Sequence, residues 1–312
     1  MDFDTKFYSA GVPLAATVHI PGCGELEQAG PVFRVPDGMA GPAKKYPVVV
    51  LCHGQARNRN DGLDALAERL GDAGIASLRF DHRGCGSEAV NRYRLRPITE
   101  MPFDTRCAIY FCESLGFTDR DRIGVSGISM GGVMSIIMAA TDPRVKSIAA
   151  MGTPADCGAG ARTQWGDRAD EIFEMLREDA RINAATGHSR IINRSQSLLT
   201  GKADPESAAL NILDSIIFPG NNAYNSLESI FNLTEYVAME YINRVKCPAF
   251  IIHGEDDELL PAAEAEMLYN GLPECNKNKK LKVYPGVDHN IPICDNREAV
   301  FKDIVDWFVE TL

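Results

Sequence analysis

The chain has 312 residues, 45% hydrophobic and 24% charged, which is enough apolar material for a large core and one or two domains. Its 43 acidic and 32 basic residues leave a net charge of −11, with no Lys/Arg run that would make a phosphate-binding stripe. Nucleic acid and anionic membranes are therefore not expected partners.

The acidic opening Met1-Asp-Phe-Asp4 lacks the basic and apolar regions of a secretory signal. No apolar run reaches the ~18 residues that a membrane span needs. The nine cysteines, at 23, 52, 85, 107, 112, 157, 247, 275 and 294, are odd in number and form no CxxC pair. They point to a reducing, cytoplasmic setting with thiols used as small apolar side chains. No Cys/His cluster has zinc-ligand spacing, so no metal is expected.

Along the chain, loose alternation at Phe7, Leu14, Ala16, Val18 and Ile20 predicts strands near a sheet edge. A Gly/Pro-rich stretch from Pro21 to Pro42 reads as loop, with a strand expected around Val32–Val35. Tyr46–Cys52 is a continuous apolar run, the signature of a parallel strand covered on both faces. Helices are predicted over Asp61–Ala73, Phe103–Leu115, Gly131–Ala140, Ala262–Leu272 and Arg297–Leu312. Strands are predicted over Ile75–Phe80, Arg122–Val125, Val145–Met151, Ala249–Ile252 and Lys280–Tyr284. This alternation implies an α/β fold with a mostly parallel sheet and helices on both faces.

Residues 156–246 break the rhythm, with helical segments at Ala169–Arg181, Pro205–Ile216 and Leu227–Ile242 and no convincing core strand. They read as a mainly helical cap insertion between core segments 1–155 and 247–312.

Chemistry concentrates first at Gly127-Ile-Ser-Met-Gly131, which lies between an apolar strand and a helix. A serine raised on so tight a turn needs small neighbours two residues away on each side. Ser126 fails this test, because position 128 is isoleucine. An ordinary glycine-rich turn has no need of that strand-and-helix context. The helix N-terminus behind Ser129 favours developing negative charge.

A serine is a poor nucleophile without a base, and the base needs an orienting carboxylate. Among six histidines, His289 follows the last predicted strand, where parallel sheets place their sites. For the acid, Asp257 stands three residues after Gly254 and four before Pro261. Asp256, Glu258 and Asp156 are the alternatives. His53 is read as structural. Cys85, between two glycines and near His82, is read as part of a structural turn with Arg83 paired to a carboxylate.

The order Ser129, Asp257, His289 resembles that of the α/β-hydrolase superfamily. The chain is most similar to its esterase, acyl-aminoacyl-peptidase and dienelactone-hydrolase-like branches. The matching pieces are Val49-Val-Leu-Cys-His-Gly54, Asp81-His-Arg-Gly-Cys-Gly-Ser87, Gly127–Gly132, His253-Gly-Glu-Asp-Asp257 with Pro261, and Tyr284-Pro-Gly286 with His289.

The resemblance implies an α/β-hydrolase fold and an acyl-enzyme mechanism acting on a carboxylic ester, without cofactor. It implies that the backbone N–H groups of Gln55 and Met130 hold the oxyanion. Cap aromatics such as Trp165, Phe218 and Tyr224 are candidates for the substrate wall, although most cap aromatics are expected in the cap's own core. A small-molecule acyl substrate is expected, and a homodimer is left open. The same triad serves acyltransferases, thioesterases and amide or peptide hydrolases, and a non-catalytic binding protein is the remaining alternative.

Overall fold

The computed structural model describes residues 1–22, 45–55, 57–86, 98–193, 209–210 and 224–312. Strands β1 (Asp2–Ser9) and β2 (Val12–His19) pair antiparallel, from Asp2 opposite His19 to Ser9 opposite Val12. Ala10 and Gly11 join them at φ 48° and 79°, the backbone twist that suits a two-residue hairpin turn. The strand expected at Val32–Val35 lies outside the described residues.

The remaining core elements follow in alternation: β3 (Tyr46–Cys52), α1 (Leu63–Asp72), β4 (Ala76–Phe80), α2 (Met101–Ser114), β5 (Thr118–Ile128), α3 (Met130–Thr141) and β6 (Val145–Met151). The segment expected to be an insertion comes next. Its elements are α4 (Cys157–Trp165), α5 (Ala169–Thr186), β7 (Ile191–Asn193), β8 (Ala209–Leu210), β9 (Tyr224–Ser226), α6 (Leu227–Thr234) and α7 (Met239–Ile242). The core resumes with β10 (Ala249–Gly254), α8 (Ala263–Gly271), β11 (Lys279–Tyr284) and α9 (Arg297–Thr311).

Eight strands form one sheet in the order β1-β2-β4-β3-β5-β6-β10-β11. From β4 to β11 every pairing is parallel, and β2 pairs antiparallel with β4. The observed architecture is the α/β-hydrolase fold expected from the sequence.

Residues of β3 alternate between the two faces. Val48, Val50 and Cys52 pack in one buried cluster with Val133 and Met134 of α3 and Ala108 and Ile109 of α2. Val49 and Leu51 pack in the other, with Leu63 and Leu66 of α1 and Ile304 and Phe308 of α9. A strand covered on both faces gains from being apolar at every position, which explains the unbroken run in the sequence. Burial raises the Cys52 thiol pKa to about 12, so this cysteine stays neutral in the core.

The chain moves from β3 to β4 on one side, then to β5 on the other. In sheets of this kind the usual ligand position is beyond the carboxyl ends of the strands at such a reversal, here β3 and β5.

The insertion differs from expectation in two places. Ala209 and Leu210 fall within the predicted helix Pro205–Ile216 but pair as β8 with Ile192 and Ile191, in a small antiparallel sheet of order β8-β7-β9. The rest of that predicted helix lies outside the described residues. The predicted helix Leu227–Ile242 is broken into α6 and α7, because Val237 between them bridges to Asp156. An extended residue in a bridge cannot continue the helical hydrogen-bond ladder.

Candidate active site

The turn between β5 and α3 carries Ser129 at φ 55°, ψ −118°. Ser129 and Ala10 are the non-glycine residues with positive φ among the described residues. Such a conformation costs about 1–3 kcal/mol and persists only where the surroundings enforce it. Here the enforcement is steric. A Cβ at Gly127 would sit 2.3 Å from the Gly131 carbonyl, and one at Gly131 would sit 2.1 Å from Cys52 O. The two glycines let strand, turn and helix pass in backbone contact.

Hydrogen bonds complete the turn. The Ser129 N–H donates to Met151 O at 2.9 Å, and Ser129 O accepts from Gly132 N and Val133 N. Met130 opens α3, so its N–H is among the helix's first donors, which have no intrahelical acceptor.

The loop after β3 lies directly against this turn. A methyl group built on Gly54 would meet Ile128 O and Ser129 Cβ, both at 3.3 Å. The next residue is Gln55. Behind the loop, His53 is buried, with Nδ1 2.7 Å from Gly54 O and Nε2 accepting from His82 N at 3.1 Å. Both ring nitrogens are thereby occupied in shaping the loop, which is the structural role expected of His53.

At the adjacent strand ends, His289 Nδ1 stands 2.7 Å from Asp257 Oδ2. The other Asp257 oxygen accepts from Leu259 N at 2.9 Å and Leu260 N at 2.8 Å. With Nδ1–H donating to the carboxylate, His289 keeps Nε2 free to accept a proton. Asp256 and Glu258 are exposed, whereas Asp257 is buried at 8%. The third alternative, Asp156, caps α4 by accepting from Ala159 N at 2.9 Å. Of the four carboxylates considered, Asp257 is therefore the one bonded to the histidine.

Gly152 joins the two halves of the site. It follows Met151, the acceptor of the Ser129 N–H, and donates its own N–H to Ile252 O at 2.8 Å. A Cβ there would lie 3.2 Å from Ile128 Cδ1, 3.6 Å from His289 Nδ1 and 3.7 Å from Asp257 Oδ2.

Sequence reasoning missed one supporting residue. His253 Nε2 donates to Leu260 O at 2.9 Å and lies 3.4 Å from Asp257 Oδ2, so it steadies the acid loop. The signal was its position four residues before Asp257 at the end of an apolar strand.

The loop Asp81–Gly86 is held structurally. Arg83 bonds buried Asp104 through Nε and Nη2, and also pairs with Glu100. Cys85 and His82 are buried within this loop. Trp165 packs edge-on against Phe173, ring centroids 5.0 Å apart, within a separate apolar cluster of the 156–246 segment. Phe218 lies outside the described residues, and Tyr224 contributes backbone to β9. Among the described residues no helix is long and apolar enough to cross a membrane.

The family model described as serine aminopeptidase, S33, matches residues 43–293. The chain belongs to this family of α/β-hydrolases. The S33 assignment covers the insertion as well as most of the core.

This S33 member is 28% identical over 246 residues to an uncharacterized 31.7 kDa protein of the traX-finO intergenic region of Escherichia coli, covering 78% of this chain and 83% of that protein. It is 24% identical over 267 residues to a monoacylglycerol lipase of Mycolicibacterium smegmatis, covering 85% and 89%. Among solved structures it resembles DcsB, determined with its substrate analogue, at a TM-score of 0.76 and 16% identity, covering 100% of this chain and 99% of that one. Family and relatives together make the protein a hydrolase.

Proposed function

We propose that the protein is a serine hydrolase that cleaves a carboxylic ester through an acyl-enzyme, with Ser129 as nucleophile, His289 as base and Asp257 as the acid that orients it. The observation that carries the reading is the strained Ser129 turn beside a His289–Asp257 hydrogen bond of 2.7 Å. Esters are favoured as the substrate class because the similarity to a monoacylglycerol lipase runs over 85% of this chain.

In the first step Ser129 Oγ attacks the ester carbonyl carbon while His289 Nε2 takes the hydroxyl proton. Asp257 stabilises the imidazolium and fixes its tautomer. The tetrahedral oxyanion is held by the N–H groups of Met130 and Gln55. Collapse breaks the acyl–oxygen bond, and the alcohol leaves with the proton from His289. Water, deprotonated by the same nitrogen, then releases the acid and restores Ser129.

A fluorophosphonate should label Ser129 covalently, and Ser129→Ala should abolish the labelling. Wild-type protein should hydrolyse p-nitrophenyl esters of graded acyl length, and Ser129→Ala should lose at least about a thousandfold of that rate. Turnover of aminoacyl p-nitroanilides with no turnover of esters would replace the ester reading by a peptidase one. Transfer to an added alcohol in preference to water would make the protein an acyltransferase.

A further inference from the structure

Four arginines lie on or next to the loops after β3 and β4, and three of them are matched by carboxylates. Arg59 pairs with Asp81, Arg79 with Asp2, and Arg83 with Asp104 and Glu100. Arg57 differs. Its guanidinium donates through Nη2 to Asn290 Oδ1, a neutral amide oxygen, and forms no ion pair among the described residues. In a chain carrying 43 acidic residues, a half-buried guanidinium with no carboxylate is out of pattern.

Its position is also specific. The methyl group that would touch Ser129 Cβ from Gly54 at 3.3 Å would touch Arg57 Cγ at 3.9 Å. At the far end of the side chain, Asn290 directly follows His289. Arg57 therefore runs from the loop beside the nucleophile to the residue beside the base. Nearby Asp288 does not neutralise it, and its Oδ1 accepts the Asn290 N–H at 2.8 Å. The same loop holds an unmet donor, since Gln55 Nε2 is buried with no hydrogen-bond partner among the described residues. A guanidinium offers five N–H groups in a fixed fork. An amide oxygen uses only part of that capacity.

Resting on the ester-hydrolase reading above, we infer that Arg57 is a specificity-determining residue that binds a carboxylate on the substrate, so that the preferred substrates are esters bearing a free acid group. A guanidinium–carboxylate contact is strong and geometrically demanding, and its strength rises in a crevice shielded from water. The bland alternative is a strut that ties two loops together. The two differ in one respect: a strut serves every ester equally.

The test uses matched pairs that differ only in charge. 4-Acetoxybenzoate is compared with 4-acetoxybenzamide, which places the charge on the alcohol side. Phenyl hydrogen adipate is compared with phenyl adipamate, which places it on the acyl side. Wild-type enzyme should favour the carboxylate member of at least one pair by about 10- to 100-fold in kcat/KM, expressed mainly in KM. The preference should shrink as salt is raised. Arg57→Gln should bring that ratio close to one, and Arg57→Lys should keep part of it because the charge survives without the fork.

Equal wild-type kcat/KM within both pairs would overturn the proposal, and so would an Arg57→Gln variant that slows both members equally. The wild-type comparison decides the matter even if the variant fails to fold. Turnover of the neutral esters without preference sinks the carboxylate inference alone, whereas no turnover of any ester sinks the hydrolase reading and this inference with it.

Discussion

The two halves of the site are held by different forces. The serine turn is fixed chiefly by crowding: Gly127 and Gly131 are in backbone contact with their surroundings, and Ser129 is held at φ 55°. The acid and histidine lie on loops and are fixed by hydrogen bonds, with Asp257 accepting from Leu259 N, Leu260 N and His289. Crowding is intolerant of added atoms but indifferent to charge. A hydrogen-bonded loop tolerates shape changes but depends on which atoms donate. Substitutions of each kind should therefore fail differently in the two halves.

The largest effect is expected on the hydrogen-bonded side. Asp257→Asn keeps an oxygen for Leu259 and Leu260 but turns a donor toward His289 Nδ1, which then serves as acceptor and leaves the proton on Nε2. Steady-state ester hydrolysis should fall about a thousandfold or more, with a melting temperature close to wild type. Near-normal activity would move the acid elsewhere.

On the crowded side, Gly131→Ala drives a methyl group to 2.1 Å from Cys52 O, where only backbone can yield. Stability should fall by ~3 kcal/mol or more, seen as a melting temperature lower by about 5–10 °C or as insoluble protein. A variant that is stable but inactive would mean that the turn is less tightly enforced than the contacts indicate.

His253→Gln probes the outer support of the acid loop. It disturbs the bond to Leu260 O and the approach to Asp257. A loss of about tenfold in kcat with KM unchanged is expected from stopped assays on one ester. No loss would show that Leu259 and Leu260 hold the carboxylate by themselves.

The smallest effect is a pH dependence behind the Gly54 loop. Burial, together with neighbouring His53 and Arg83, holds the His82 pKa well below the ordinary 6.5. Its ring stays neutral in the fold, while the unfolded chain takes up a proton below about pH 6.5. The sign follows: stability is level above that pH and declines below it, by at most about 1.4 kcal/mol per unit from this group. Urea midpoints between pH 7.5 and 5.5 should decline less steeply for His82→Gln than for wild type.

These contrasts also explain what could be read without coordinates. The serine turn was legible because crowding writes itself as glycine at fixed offsets from Ser129. The parallel sheet was legible because two-sided burial demands unbroken apolar runs such as Tyr46–Cys52. The loop bearing Asp257 could be placed by its strand, but choosing among residues 256, 257 and 258 depends on which one turns inward. Nothing local encodes that.

The insertion was least legible. Its strands Ile191–Asn193, Ala209–Leu210 and Tyr224–Ser226 are too short to establish a period of two. The break between Thr234 and Met239 carries neither proline nor glycine, and a bridge to distant Asp156 imposes it. Arg57 left no signature, because its distinction is the carboxylate it lacks among the described residues.

The 156–246 segment packs in two groups. Cys157, Leu233, Ala238 and Ile242 join the main core, whereas Trp165, Phe173, Leu176 and Ile230 bury one another in a separate cluster. The first group is thus shared with the core of the sheet, and the second is self-contained. Such a division lets the second cluster be repacked over evolutionary time without disturbing the residues that the first shares with the sheet.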